Sequence, residues 1–194
     1  MDDPYAVDRR GFLKTSATAA AAATVACAAP EGRWRALTNA EAATLAAACD
    51  QIVPPDDWPG AAEAGVARFL DRQLATREKD QLPFWQKGVR GLDATARERK
   101  GSDFVELSSE EQTELLKEIE AGDVPAEAWE GLDPQEFFGR LVRYTMMGFY
   151  GDPRHGGNLQ HVSWRMLGVP PMPVRGRLHE PLIPLEDVQT AERG

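Results

Sequence analysis

Apolar residues recur at intervals of three and four positions along most of the chain between residues 30 and 170, as they do on one face of an α-helix. The pairs Thr38-x-x-Glu41 and Ser108-x-x-Glu111 precede two of these stretches. Such pairs are typical of helix starts, because each side chain accepts a hydrogen bond from the other residue's backbone amide. No alternating run rich in Val or Ile is long enough for a convincing strand. The pattern predicts an all-α domain, a compact bundle of about five helices.

Five stretches carry the helical spacing, and turn-forming residues separate them. Pro54-Pro55 ends the first, Gly122 closes the fourth, and Asp133-Pro134 opens the fifth with a cap and a proline in the first turn. The fifth stretch has an apolar face wider than one stripe, which predicts burial at the centre of the bundle or on two sides. The five apolar faces are Leu45, Cys49, Ile52 and Val53; Val66, Phe69, Leu70 and Leu74; Trp85, Val89 and Leu92; Leu115, Leu116 and Ile119; and Phe137, Phe138, Leu141, Val142, Tyr144 and Thr145.

Residues 1–29 have the order of a secretory signal rather than of a folded element. Arg9-Arg10 is followed by Phe12 and Leu13, then by a weakly apolar run of Ala and Thr, then by the small-x-small site Ala26-Cys27-Ala28. The paired arginines are typical of a Tat-type signal, which exports proteins that have already folded. The alternative is an Ala-rich helix with a chance arginine pair. We therefore expect a periplasmic protein whose mature part begins near residue 30.

Two cysteines differ in their expected roles. Cys27 follows Thr24-Val25-Ala26, which matches a lipoprotein cleavage site poorly, so ordinary cleavage nearby is expected and a lipid on Cys27 is the alternative. Cys49 is then the single cysteine of the mature chain, which leaves no intramolecular disulfide. Its place on an apolar helix face predicts a buried small side chain rather than a reactive thiol.

The C-terminal segment, residues 171–194, differs in composition from the helical region 30–170. Five prolines fall between residues 170 and 184, which argues against helix and favours an extended path. Apolar side chains on such a path need a surface to cover, either on the same domain or on a partner. These side chains are Leu178, Leu182, Ile183 and Leu185.

Charge and composition exclude several classes of partner. The formal net charge is -9 and the pI is about 4.9, which argues against nucleic acid and against an anionic membrane surface. No strongly apolar run reaches 18 residues, so no permanent transmembrane helix is expected.

Recognised cofactor and catalytic motifs are missing from the sequence. There is no Cys-x-x-Cys-His, no Gly-x-Gly-x-x-Gly after a strand and no Gly-x-Ser-x-Gly. The three histidines, His155, His161 and His179, do not have the spacing of a zinc site. We therefore expect no cofactor and no metal in this chain.

One segment, residues 148–158, concentrates glycine, aromatic and charged residues. It contains four glycines and Pro153, which predicts that the preceding helix breaks there and a loop of unusual backbone conformation follows. Functional residues are often held on such loops, although a structural corner, with Asp152 and Arg154 bonding loop amides, explains the same residues.

This segment and its surroundings resemble the gluconate 2-dehydrogenase subunit 3 family. The resemblance covers about residues 35–170, and Trp58, inserted in a variable turn, is a small departure from the family pattern. The matching motifs are Gly148-Phe149-Tyr150-Gly151-Asp152-Pro153-Arg154-His155-Gly156-Gly157-Asn158, Trp164-Arg165-Met166-Leu167-Gly168-Val169-Pro170, Leu37-Thr38-x-x-Glu41, Ile52-Val53-Pro54-Pro55-Asp56, Pro59-Gly60-Ala61-x-x-Ala64-Gly65-Val66 and Leu107-Ser108-x-x-Glu111-Gln112.

The resemblance implies a small, helical, non-catalytic subunit that escorts a large FAD-containing dehydrogenase subunit through Tat export and aids its assembly. FAD would belong to that partner, and a multihaem cytochrome c subunit often accompanies the pair. The competing hypothesis is an independent periplasmic enzyme that uses Asp152, Arg154 and His155. The residues predicted to dock the partner are Phe149, Tyr150, Gly151, Asp152, Pro153, Arg154, His155, Gly156, Gly157, Asn158 and Trp164.

Overall fold

A computed structural model describes residues 34–169, so the predicted signal (1–29) and the predicted tail (171–194) lie outside the described residues. Within residues 34–169 the regular elements are α-helices and short 3-10 turns, with no strand, which confirms the all-α prediction. The helices are α1 (Asn39–Ile52), α2 (Val66–Thr76), α3 (Leu82–Lys100), α4 (Ser109–Ala121), α5 (Pro134–Tyr150) and α6 (Val162–Met166). The 3-10 turns are Lys79–Gln81, Phe104–Glu106, Ala126–Trp129, Pro153–His155 and Leu159–His161.

The predicted helix ends are confirmed in detail. The Thr38 amide donates to Glu41 Oε2 at 2.8 Å, and the Glu41 amide donates back to Thr38 Oγ1 at 3.2 Å. Ser108 and Glu111 form the same reciprocal pair at the start of α4. Gly122 ends α4 with φ of +80°, a conformation that a side chain would disfavour. These local contacts define the starts of α1 and α4 and the end of α4.

Helix α1 lies at the centre of the bundle, where it packs against α2, α3, α4 and α5. Its buried alanines, Ala42 and Ala48 among them, leave room for neighbouring helices to approach. Cys49 is 1 % exposed and accepts a hydrogen bond from Thr145 Oγ1 at 3.2 Å. Burial raises the pKa of the Cys49 thiol to about 12, so the thiol is neutral and the predicted buried role is confirmed.

Large aromatic side chains fill the contact between α3, α5 and the 3-10 turn Ala126–Trp129. Trp85, Trp129 and Phe137 are fully buried, and the ring of Phe137 lies 5.9 Å from that of Trp85 and 5.6 Å from that of Trp129. Gly88 and Gly91 on α3 make this packing possible. A Cβ at Gly88 would lie 2.1 Å from the Phe137 ring, and a Cβ at Gly91 would lie 2.6 Å from the Trp129 ring. We call Trp85, Trp129 and Phe137 with these two glycines the aromatic core.

A buried carboxylate fixes the segment that enters α1. Asp71 on α2 is 5 % exposed, and it accepts hydrogen bonds of 2.9–3.1 Å from the backbone amides of Arg35, Ala36 and Leu37. Three successive amides converging on one carboxylate make a favourable anion-binding arrangement. This contact ties the start of the described chain to α2.

Helix α5 packs against α1, α2, α3 and α4, in agreement with the wide apolar face predicted for it. The predicted break within residues 148–158 is confirmed, because α5 continues through Gly148 and ends at Tyr150, just before Gly151. The missing side chain of Gly148 lets α2 approach α5 closely, because a Cβ there would lie 3.0 Å from Phe69 Cδ1. The short helix α6 was not among the five predicted helices.

Candidate functional site

The glycine-rich segment forms a loop from Gly151 to His161, between α5 and α6, that lies on the N-terminal half of α2. The Leu159 amide donates to the Ala64 carbonyl oxygen at 3.0 Å. Arg72 on α2 donates from Nη1 to the Arg154 carbonyl oxygen at 2.7 Å. The loop is thus attached both to the residues that precede α2 and to α2 itself, and we call residues 151–161 the α5–α6 loop.

Two glycines of the loop are required for different reasons. Gly156 has φ of +106°, which L-amino acids with a side chain rarely adopt. A Cβ on Gly157 would lie 2.2 Å from the carbonyl oxygen of Gly148 on α5. The glycine pair therefore allows the loop backbone both to turn and to touch the helix backbone.

Asn158 holds the loop together from inside. Its side chain is fully buried at 0 % exposed, and its Nδ2 donates to the Gly151 carbonyl oxygen at 2.9 Å. Its Oδ1 accepts from the Ser163 amide at 3.0 Å, at the start of α6. Asn158 has φ of +47°, and Gln160 and His161 also have positive φ. One amide side chain thus joins the end of α5 to the start of α6.

The charged residues of the loop bond mainly to each other. Asp152 Oδ1 accepts from the Arg154 amide at 2.9 Å, and Asp152 Oδ2 accepts from Arg154 Nε at 2.8 Å. The Arg154 guanidinium holds the pKa of Asp152 below its usual value. His155 is half-buried in the adjacent 3-10 turn. Asp152 and Arg154 therefore make the contacts expected of a structural corner.

The aromatic residues predicted to dock a partner differ in exposure. Phe149 is 1 % exposed and belongs to the core, whereas Tyr150 is exposed and packs edge-on against Phe149 at 4.9 Å between ring centroids. Trp164 on α6 is half-buried and donates from Nε1 to the Tyr150 carbonyl oxygen at 3.0 Å. Phe149, Gly157 and Asn158 are thus buried, while Tyr150 and Arg154 are exposed; the docking role of the loop stays a prediction.

Exposed apolar side chains that the sequence analysis did not single out lie next to the loop. Met146 and Met147, on the last two turns of α5, are 40 % and 44 % exposed. Leu167 and Val169, which follow α6, are also exposed. The sequence contains a signal for the exposure of Met146 and Met147. Positions 143, 146, 147 and 150 share one side of a helix whose opposite side carries Phe137 and Leu141.

Two further observations concern residues 34–169 as a group. None of the helices in this range is both long and apolar enough to cross a bilayer. The same range contains no group of three or more His, Cys, Asp or Glu side chains placed to hold a metal ion.

The sequence matches a known protein family. The family model described as gluconate 2-dehydrogenase subunit 3 matches residues 39–171, which include all six helices from α1 to α6. Neither the curated proteins nor the solved structures contain a significant match.

Proposed function

The chain belongs to the gluconate 2-dehydrogenase subunit 3 family, and from this premise we propose that it is the non-catalytic small subunit of a periplasmic FAD-dependent dehydrogenase acting on a sugar or sugar acid. Membership of this family supports a role as a subunit of a dehydrogenase complex. The observation that carries the proposal is that the match extends from α1 to beyond α6. The role assigned to the family therefore applies to the whole described fold.

We assign the export of the complex to the N-terminal segment of this chain. Arg9-Arg10, Phe12 and Leu13 match a Tat-type signal, which serves proteins that fold before they cross the membrane. A flavoprotein that binds FAD in the cytoplasm needs such a route. The small subunit would then carry the assembled large subunit with it to the periplasm, and a multihaem cytochrome c subunit is a further expected partner.

Co-expression with the large subunit tests this escort role. The double substitution Arg9→Lys and Arg10→Lys removes the arginine pair while keeping its charge, so both chains should stay in the cytoplasm. The matched control is Arg33→Lys with Arg35→Lys, which makes the same chemical change outside the signal and should leave export unchanged. Fractionation with immunodetection of both chains gives the readout. A large subunit that reaches the periplasm beside the Arg9/Arg10 variant would contradict the escort role.

The competing hypothesis, an independent enzyme using Asp152, Arg154 and His155, has a separate test. The mature chain is purified without any partner and assayed for oxidation of sugars and sugar acids with an artificial electron acceptor. Our proposal expects no turnover from the isolated chain and turnover from the complex. Turnover by the isolated chain that is lost in His155→Gln would replace our proposal with the enzyme hypothesis.

A further inference from the structure

We infer that a segment of the chain's own C-terminal region, residues 178–187, folds back and covers an exposed apolar face at the end of α5 and around α6. We call these residues the docking segment. The inference does not depend on the proposed function, because the face and the docking segment belong to the same chain. The face, called here the α5–α6 face, consists of Met146, Met147, Tyr150, Leu167 and Val169.

Exposed large apolar side chains are concentrated in this one area. Six such side chains occur in residues 34–169, and five of them belong to the α5–α6 face; Val105 is the sixth. Their exposed fractions lie between 39 % and 59 %. Single exposed apolar residues are normal on a protein surface, but a group of them marks a surface that something covers.

The residues that the structure describes end within this face, at Val169. The Val169 amide donates to the Trp164 carbonyl oxygen at 2.7 Å, and Trp164 Nε1 donates to the Tyr150 carbonyl oxygen at 3.0 Å. These two bonds hold the end of α6 against the end of α5. The chain therefore continues into residues 170–194 from a fixed point on the face itself.

The linker between Val169 and the docking segment, residues 170–177, is long enough for a return to the face. In an extended polyproline conformation it spans about 25 Å, at roughly 3.1 Å per residue. The helix from Arg143 to Tyr150 is only about 10 Å long. The linker also contains Gly176, at which the path can change direction. The docking segment can thus lie along the outer side of α5.

The docking segment has the sequence pattern of a peptide that binds in an extended conformation. Pro181-Leu182 is repeated three residues later as Pro184-Leu185, and three residues make one turn of polyproline II. In that conformation the two leucines share one side of the segment, and the two prolines share the side next to it. Prolines also restrict the free chain, so that less conformational entropy is lost on binding. Such a segment needs an exposed apolar surface.

The α5–α6 face is the kind of surface on which proline-rich segments dock. Segments with prolines three residues apart bind to grooves lined by aromatic side chains. Tyr150 is 40 % exposed, and the half-buried Trp164 lies beside it through the bond from Nε1. Met146 and Met147 add flexible apolar side chains that adapt to the shape of a bound peptide. Face and segment therefore match in chemistry before charge is considered.

The charges of the face and of the docking segment are opposite. Residues 143–169 contain three arginines and one aspartate, with no Lys or Glu, and Arg143 and Arg165 are exposed. The linker carries Arg175 and Arg177, so it has the same sign as the face. The docking segment has no Lys or Arg and has three acidic residues, Glu180, Glu186 and Asp187. Charge therefore favours the docking segment over the linker as the part of the chain that covers the face.

The docking segment also has an advantage over any separate molecule. A short linker gives it an effective concentration on the order of millimolar at the face, so even a weak contact is occupied. A second copy of this chain has no such advantage, and in a two-fold contact its arginines would oppose those of the first copy. The segment within the same chain is therefore the occupant that we assign.

The test uses the full-length chain alone and measures how fast hydrogen peroxide converts Met146 and Met147 to sulfoxides, located by peptide mass spectrometry. Met166, which is partly buried against the core, gives the reference rate, so that opening of the whole fold changes both rates together. Leu182→Ser with Leu185→Ser should weaken docking about tenfold or more, because two apolar side chains are lost from the contact. Oxidation of the two methionines, relative to Met166, should then become several times faster.

Two further variants sharpen the test. The matched control is Val188→Ser with Ala191→Ser, which makes similar changes at the same spacing but beyond the docking segment, and should leave the relative rate unchanged. Arg143→Glu reverses a charge beside the face and should also raise the relative rate. That rise should be larger at low salt than at high salt, because salt screens the charges of exposed groups.

Three results would overturn the inference. Equal relative rates in the wild type and in the Leu182→Ser, Leu185→Ser variant would show that the docking segment leaves the face open to another protein. Protection of the two methionines that disappears on dilution of the wild type would assign the face to a second copy. An equal rise in the control variant would show that the segment makes no specific contact. None of these results bears on the proposed function, which the export and turnover experiments test separately.

Discussion

The aromatic core between α3 and α5 and the α5–α6 loop both depend on glycine, but different atoms occupy the space that glycine leaves. In the aromatic core, Gly88 faces the ring of Phe137, which is a side chain. In the loop, Gly157 faces the carbonyl oxygen of Gly148, which is part of the helix backbone. The core is held by contacts among many apolar atoms, whereas the loop is held by a few polar bonds, chiefly those of Asn158.

Because of this difference, the two regions should respond differently to substitution. A ring can rotate or be replaced by a smaller side chain, while a helical carbonyl oxygen can move only with its helix. We therefore expect that steric damage in the aromatic core can be relieved by a second substitution and that damage in the loop cannot. We also expect the larger losses of stability in the core, since more apolar surface is buried there.

The largest effect is expected from Phe137→Ala. Phe137 is fully buried and contacts both Trp85 and Trp129, so its removal leaves a cavity that the rings close only in part. The free energy of unfolding should fall by about 3–5 kcal/mol, measured by urea denaturation. Phe138→Ala is the matched control: Phe138 is the next residue and only partly buried, so its truncation should cost less. Equal losses would remove the distinction between core and surface on α5.

The glycine comparison itself is tested by Gly88→Ala and Gly157→Ala. Gly88→Ala would place a Cβ 2.1 Å from the Phe137 ring, and Gly157→Ala would place one 2.2 Å from the Gly148 carbonyl oxygen. Each should lower the free energy of unfolding by about 1–3 kcal/mol. Combining Gly88→Ala with Phe137→Leu should cost less than the sum of the two single changes, because the smaller side chain vacates the space. The double-mutant cycle measures this coupling. The same Phe137→Leu change should be additive with Gly157→Ala, and coupling there would contradict our account.

The sequence predicted the features that depend on residues close together in the chain. The caps at Thr38 and Ser108 each involve a partner three positions away, so the pattern of the sequence contains the whole interaction. The five long helices were predicted for the same reason. By contrast, Asp71 bonds to amides more than thirty positions away, and Gly148 on α5 leaves space for Phe69 of α2. Such contacts exist only once the chain has folded.

The candidate site shows a similar division. The sequence identified the loop by its glycines, and Gly156 has the positive φ that glycine density suggests. The sequence did not distinguish the buried residues of this region from the exposed ones. Phe149 and Asn158 are buried, whereas Met147 is exposed. Methionine at helical spacing is usual in a core, so its exposure could be known only from the packing of α5. Helix α6 was missed because His161 precedes it with positive φ, which no helix-start pattern contains.

An intermediate loss of stability is expected from Asn158→Ala, which tests the polar bonds that hold the α5–α6 loop. The change leaves the Gly151 carbonyl oxygen and the Ser163 amide without their partner and should cost about 2 kcal/mol of unfolding free energy. Gln160→Ala is the matched control, because Gln160 also has positive φ but is exposed. Hydrogen exchange at Ser163 gives a local measurement. Equal losses in the two variants would assign the effect to backbone strain rather than to the buried bonds.

The smallest effect is expected from Asp152→Asn. An asparagine keeps an oxygen for the Arg154 amide, so the turn is retained and only the exposed ion pair is lost. Because Arg154 lowers the pKa of Asp152 in the folded state, the contribution of the pair is present above about pH 4 and is lost as the pH falls through the folded-state pKa. The unfolding curves of wild type and variant should therefore differ little at neutral pH and converge in acid. If the isolated wild-type chain did turn over substrate, and Asp152→Asn removed that turnover without loss of stability, the Asp152 carboxylate would act on substrate and the loop would be an active site rather than a corner.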